Sequence, residues 1–184
     1  MRILLFLCLF LCISIPVFSQ KKWISKMDSL AHITETKWGL LHGTCRAFSL
    51  QESGYDTNAV RIETGYFNVG SKYANTISIQ SQLWIDTNSN RWKIPISIER
   101  SQRSESFGLF QIMGENYRVL GYNANYIQPT MEEQFEYFGK FVGPEWKKLN
   151  NLAKLASFFN TGNPNRTGRS YDKNVVKYQK KFSY

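Results

Sequence analysis

Apolar residues recur along this chain at helical intervals, separated by short polar breaks. Trp23, Met27, Leu30 and Thr34 lie three or four apart until Gly39 interrupts them, which predicts an amphipathic helix over 23–37. Leu41, Cys45, Phe48 and Glu52 continue at i, i+4, i+7 and i+11, so a glutamate shares a stripe with three residues of buried type. Ser53-Gly54 supplies the stop. From Arg61 to Trp92 the pattern changes: glycines and asparagines punctuate short β-prone runs such as Thr76–Ile79 and Leu83–Ile85, the mark of a loop with a small hairpin. Ser97 is placed to cap a helix over 98–105. Gly108 opens a compact apolar run from Phe107 to Met113, and a short helix over 114–120 should end at Gly121.

Thr130 and Glu133 have the spacing of a capping box, with Phe135, Phe138 and Val142 on one face behind them and Gly143-Pro144 expected to stop the helix. Leu152, Leu155, Ala156 and Phe159 mark another helix, closed by the run from Asn160 to Pro164. Tyr171, Val175, Tyr178 and Phe182 mark the last. The fold class that follows is mostly α, one helical domain with a small loop or hairpin insertion around 61–97.

The opening residues read as an export signal. Arg2 starts it, Ile3 to Phe18 is almost wholly apolar, and Val17-Phe18-Ser19 resembles a cleavage site, so Gln20 should be the first mature residue. The apolar run is broken by Pro16 and falls short of the roughly 20 residues a spanning helix needs. Leu7 and Leu11, in front of Cys8 and Cys12, are too large for lipoprotein processing. The expected organisation is therefore a signal at 1–19, an N-terminal helix at 20–39 and a globular domain at 40–184, exported to the periplasm or cell envelope without stable membrane insertion, and monomeric.

Cys45 is then the one cysteine of the mature chain, so packing rather than a disulfide must stabilise it. The formal charge of +9, or +8 once Arg2 leaves, suits an anionic partner such as the cell wall. No recognition motif supports nucleic acid. His32 and His42 stand alone without further metal-ligand spacing, and no phosphate-cradling loop occurs, so neither a metal nor a cofactor is implied.

Glu52 is the residue on which chemistry can be built. Partial burial and the negative end of a helix dipole both disfavour its charged form and raise its pKa. A glutamate still protonated near neutral pH is what glycosidic cleavage needs, because the leaving oxygen must receive a proton as its bond breaks.

Around it stand three motifs in order: Gln51-Glu52-Ser53-Gly54 with Asn58-Ala59, then Ser106-Phe107-Gly108-Leu109-Phe110-Gln111-Ile112-Met113, then Ala156-Ser157-Phe158-Phe159-Asn160-Thr161-Gly162. Together they resemble the soluble lytic transglycosylase domain, a lysozyme-like fold related to goose-type lysozyme, over about 40–182. The resemblance implies cleavage of the β-1,4 bond between N-acetylmuramic acid and N-acetylglucosamine in peptidoglycan strands. It makes Glu52 the acid that protonates the glycosidic oxygen and then the base that deprotonates the sugar's own 6-hydroxyl, leaving a 1,6-anhydromuramoyl end. Ser53 would fix the helix end, and Gln111 and Asn160 would line the cleft from two sides. Ser106, Tyr66 and Tyr171 complete the residues expected at the sugar.

Two departures accompany the resemblance. Phe159 stands where the family usually carries a tyrosine whose hydroxyl lies near the glutamate, so either another group, such as Tyr66 or Tyr117, replaces it or activity is altered. Phe110 stands where methionine is common, a volume that a large apolar side chain can fill. The alternatives are a hydrolytic muramidase acting on the same bond and a non-catalytic wall-binding protein. Hydrolysis needs a second carboxylate, from Glu63, Glu99 or Glu105; one about 6.5 to 9.5 Å from the acid would admit a water and invert the anomeric centre.

Overall fold

In a computed structural model, the structure of the protein is described for residues 23–63 and 96–183. Helix α1 covers 23–38, α2 Thr44–Ser53, α3 Ile96–Arg103, α4 Gly114–Val119, α5 Met131–Leu149, α6 Leu152–Thr161 and α7 Ser170–Phe182. Three short strands, β1 (Val60–Ile62), β2 (Glu105–Phe107) and β3 (Ile112–Met113), form one antiparallel sheet in that order. The mostly helical, lysozyme-like class expected from the sequence is the one observed. The expected strands at Thr76–Ile79 and Leu83–Ile85 lie outside the described residues. Among those described, no helix is long and apolar enough to cross a membrane.

The core gathers around α2 and α5. Phe48 of α2 meets Phe138 of α5 at 5.3 Å between ring centroids, and Phe110 stacks on Phe138 at 4.1 Å. Phe110 is fully buried, so an aromatic ring fills the place where the resemblance leads one to expect methionine. Met27 and Ala31 of α1 enter the same core.

Several boundaries differ from the sequence expectation, each for a physical reason. Helix α2 begins at Thr44, which leaves Leu41 outside it and 44% exposed, so the stripe consists of Cys45, Phe48 and Glu52. The start of α2 is set from a distance: Glu35 of α1, only 3% exposed, accepts the backbone N–H of Gly43 at 3.1 Å and of Cys45 at 2.8 Å, supplying partners that the first turn of a helix lacks. Helix α3 starts at Ile96, so Ser97 lies in its first turn rather than capping it. The capping box of Thr130 and Glu133 is present at the start of α5, yet the helix runs through Gly143-Pro144 to Leu149. Tertiary contacts hold it there. Trp38 lies against Gly139 and Gly143 so closely that a Cβ on either would come within 2.2 Å of the indole, and Trp146 beyond the proline donates its Nε1–H to the Gly39 carbonyl at 2.6 Å. Those contacts offset the backbone hydrogen bond that an interior proline removes.

Candidate active site

Helix α7 packs along α2. At one end the backbone and side chain of Phe182 approach Gly43, and Arg46 sits 4.4 Å over the Phe182 ring. At the other end Tyr171 reaches the last turn of α2, where its hydroxyl donates to Oε1 of Glu52. Glu52 is half-buried there, and Gly54, in the left-handed region at φ 63°, ends the helix just beyond it.

Burial raises the pKa of Glu52 above the ordinary carboxyl value; the Tyr171 hydrogen bond and the Arg61 charge lower it, and the Glu63 charge raises it again, with a net upward shift. Burial also pushes the Tyr171 phenol far up, with Glu52 adding to it, so the phenol remains a donor across the working pH range. The upward direction expected from the sequence thus has burial as its leading cause.

Among the described residues, the hydroxyl beside Glu52 is that of Tyr171 and not that of Tyr117. Tyr66 lies outside the described residues. Tyr117 is fully buried among Phe107, Tyr122 and Tyr137, remote in its contacts from Glu52. Phe159 turns its ring into the core, edge-on to Phe48 at 5.0 Å and to Phe141 at 5.6 Å. Tyr171, one of the residues expected at the sugar, is bonded to the glutamate, from a different helix than the family pattern suggests.

The sheet brings the next groups. Arg61 of β1 pairs across to Ser106 of β2, so their side chains share one face, and Glu63, two residues past Arg61, follows in the same phase. Arg61 Nε donates to Glu63 Oε1 at 2.7 Å. The Ser106 hydroxyl lies 3.2 Å from that same oxygen and 3.0 Å from Oε1 of Gln111, and its single proton can serve one of them at a time. Of the three candidate second carboxylates, Glu63 is therefore the one in electrostatic reach of Glu52. Glu99 is wholly buried, clasped by Arg103 at 2.8 Å and by Arg118 through both oxygens at 2.9 Å. Glu105 pairs with Ile62 on the opposite face of the sheet, where it lines a cavity of about 590 Å³ with Val60, Phe107 and Tyr126 and accepts from Ser101 at 2.8 Å.

Gln111 and Ser53 hold the site together from behind. Gln111, only 8% exposed, donates its amide to the carbonyls of Ala59 at 3.1 Å and Gly108 at 3.0 Å, so both ends of the side chain are engaged inside the protein rather than on a cleft wall. Its backbone adopts a positive φ of 47°, the turn that carries β2 into β3. The Ser53 hydroxyl reaches the Leu109 carbonyl at 3.0 Å and ties the end of α2 to this turn. Asn160 is exposed on the last turn of α6 and, among the described residues, makes no side-chain hydrogen bond.

Two residues that the sequence reading passed over matter here. Buried Gln134 of α5 accepts the Leu109 N–H at 2.7 Å and donates to the carbonyls of Thr57 and Pro129, both at 2.9 Å. A Cβ on Gly108 would lie 2.3 Å from its Oε1, which is why the turn needs glycine. Glu35 is the other. Its signal was visible, because it falls on the Met27 and Ala31 face of α1 just as Glu52 falls on the stripe of α2.

A family model described as Muramidase, N-acetylmuramidase, matches residues 90–183, just over half of the 184-residue chain. The chain belongs to the N-acetylmuramidase family. No curated protein and no solved structure matches it. Membership in the muramidase family makes this a lysozyme-like protein of peptidoglycan cleavage, with peptidoglycan as its substrate. The matched muramidase segment contains Ser106 and Tyr171, whereas Glu52, Arg61 and Glu63 lie upstream of it; packing and sheet pairing join the two stretches into one site.

Proposed function

We propose that the protein is a hydrolytic muramidase that cuts the N-acetylmuramic acid–β-1,4–N-acetylglucosamine bond, with Glu52 as general acid and Glu63 as the carboxylate that activates water. The observation that carries this reading is the pairing of environments. Glu52 is half-buried, with its pKa raised chiefly by burial and its Oε1 accepting from a neutral phenol, while Glu63 accepts from the Arg61 guanidinium and is close enough for its charge to act on Glu52. Two carboxyl groups held in unlike surroundings divide the acid and base roles. Arg61 and Ser106 fix Glu63, and Tyr171 orients Glu52 with the proton-bearing oxygen free for the leaving group.

The lyase route is the second reading, favoured by the three motifs and by Glu63 already being engaged by Arg61 and Ser106. There Glu52 acts alone and the sugar's 6-hydroxyl replaces water. Mass spectrometry of digested peptidoglycan in heavy-oxygen water separates the two: hydrolysis places the label at a reducing muramic acid end, and the lyase yields unlabelled anhydro ends. Glu63→Gln should lower hydrolysis by about 10²-fold or more; full activity in that variant, with anhydro products, establishes the lyase instead. Export to the cell envelope, read from the leader, belongs to the same proposal and is checked by finding Gln20 at the mature N-terminus.

A further inference from the structure

The outer side of α7 carries a basic pocket that the cleavage site does not use. Counting about 100° per residue, Lys173, Val176, Lys177 and Lys180 lie between about 140° and 240° round the helix from Tyr171, while Val175, Tyr178 and Phe182 stay near Tyr171 against α2. Together with Ala153, Thr167, Gly168 and Asp172, the three lysines and Val176 line a cavity of about 700 Å³, within the size range of ligand sites. Each lysine is exposed, and among the described residues none has an acidic partner. From residue 150 onward Asp172 is the one acid against seven Lys and Arg residues, so the field of this region is not cancelled nearby.

Asp172 adds a second requirement. It is 1% exposed; its Oδ2 caps α7 by accepting the Arg169 N–H at 2.9 Å, and its Oδ1 has no partner. A ligand that meets the whole pocket therefore presents anionic groups to the lysines and N–H donors towards Asp172. A polyol phosphodiester or a lipid phosphate without an amine offers only the first. A peptide with free carboxylates offers both.

We propose that this pocket binds the stem peptides of the peptidoglycan strand, as a peptide-reading site on the face of α7 opposite Tyr171 and Glu52. The proposal rests on peptidoglycan being the substrate and does not depend on whether cleavage is hydrolytic or lytic. The distances allow it. Half the circumference of a helix that is about 10–12 Å across with its side chains is about 16–19 Å, and an extended peptide of five residues reaches about 17 Å, enough to pass round α7 from a sugar held at Glu52. Peptide substitution of the strand would then set affinity for the wall, and the enzyme would prefer strands that still carry their peptides.

The test uses the full mature protein and a Lys173→Gln/Lys177→Gln/Lys180→Gln variant, whose exposed substitutions leave the core untouched. On peptide-bearing peptidoglycan the variant should show KM raised about tenfold with kcat unchanged. On the same strands stripped of peptide by an amidase, which keep the lactyl carboxylates of muramic acid, variant and parent should be equal. Equal losses on both substrates, or no loss on either, overturn the proposal. Calorimetry with isolated stem peptide and Glu52→Gln protein reads binding without cleavage: salt-sensitive binding that disappears when the three lysines are also replaced supports the site even if cleavage fails, and no binding overturns it. Anionic phospholipid vesicles form the last arm, and tighter lysine-dependent binding to them than to stem peptide would assign the pocket to a membrane surface instead.

Discussion

Glu99 and Glu52, two of the glutamates that the fold draws away from solvent, are treated in opposite ways. Glu99 is fully buried and meets two guanidinium groups, with Arg118 gripping both of its oxygens and Arg103 continuing to Glu115 at 2.8 Å. Arg118 also donates to the backbone carbonyls of Tyr122 and Ala124. Glu52 is half-buried, receives one hydrogen bond among the described residues, from a neutral phenol, and has its pKa raised. Under the proposed function the difference teaches how a fold separates a carboxylate used for stability from one kept for chemistry: the first is matched by two buried cations, while burial dominates the second and favours its protonated form.

Removing the carboxylate from each position should break the comparison most visibly. Glu52→Gln is expected to lower peptidoglycan cleavage by about 10⁴-fold with the fold intact, measured by release of soluble fragments alongside circular dichroism; activity within tenfold of the parent would remove Glu52 from its role. Glu99→Gln should instead cost about 3–5 kcal/mol of stability, because Arg103 and Arg118 lose a buried partner, while the folded fraction retains its turnover. Denaturant unfolding separates that from a catalytic effect.

Smaller effects sharpen the same contrast. Tyr171→Phe should reduce kcat/KM about tenfold, the loss of one hydrogen bond to an ionisable group. Its bond lowers the pKa of Glu52, so without it the proton is kept to higher pH, and the alkaline limb of the kcat/KM profile should move upward. Arg61→Gln should move that limb in the same direction, and Glu63→Gln, which removes a charge that raises the pKa, should move it down in whatever activity remains.

The smallest effect has the most telling sign. A carboxyl whose folded pKa exceeds its unfolded one binds more protons when folded, so its contribution to stability is present below the unfolded value and lost as pH rises through the folded one. Glu52→Gln should therefore raise the melting temperature at neutral pH, with the gain vanishing in acid. The identical exchange at Glu99 lowers it, and a pair of thermal melts tests both.

Much of this site was legible in the chain because it depended on local pattern. The stripe through Cys45 and Phe48 placed Glu52 against the core, Gly54 ended its helix, and the T-x-x-E spacing of Thr130 and Glu133 announced α5. What escaped depended on partners far apart in sequence. Pro144 would end an isolated helix, and only the Trp38 and Trp146 contacts carry α5 past it. Gln111 has the sequence of a cleft residue and the environment of a buried clamp, because Ala59, Gly108 and Ser106 converge on its amide.

The amino-acid sequence by itself determined the helical periodicity, the caps and the presence of one glutamate on an apolar stripe, since these follow from side chains three and four residues apart. Tertiary structure alone decided which phenol meets that glutamate, which of three acids stands near it, and which face of α7 is left to lysines. Tyr171 lies 119 residues from Glu52, and their contact exists only because α7 packs along α2. Strand pairing likewise puts Glu63 on the face of Ser106 and turns Glu105 away, a choice made by the pleat of the sheet once β1 and β2 are in register.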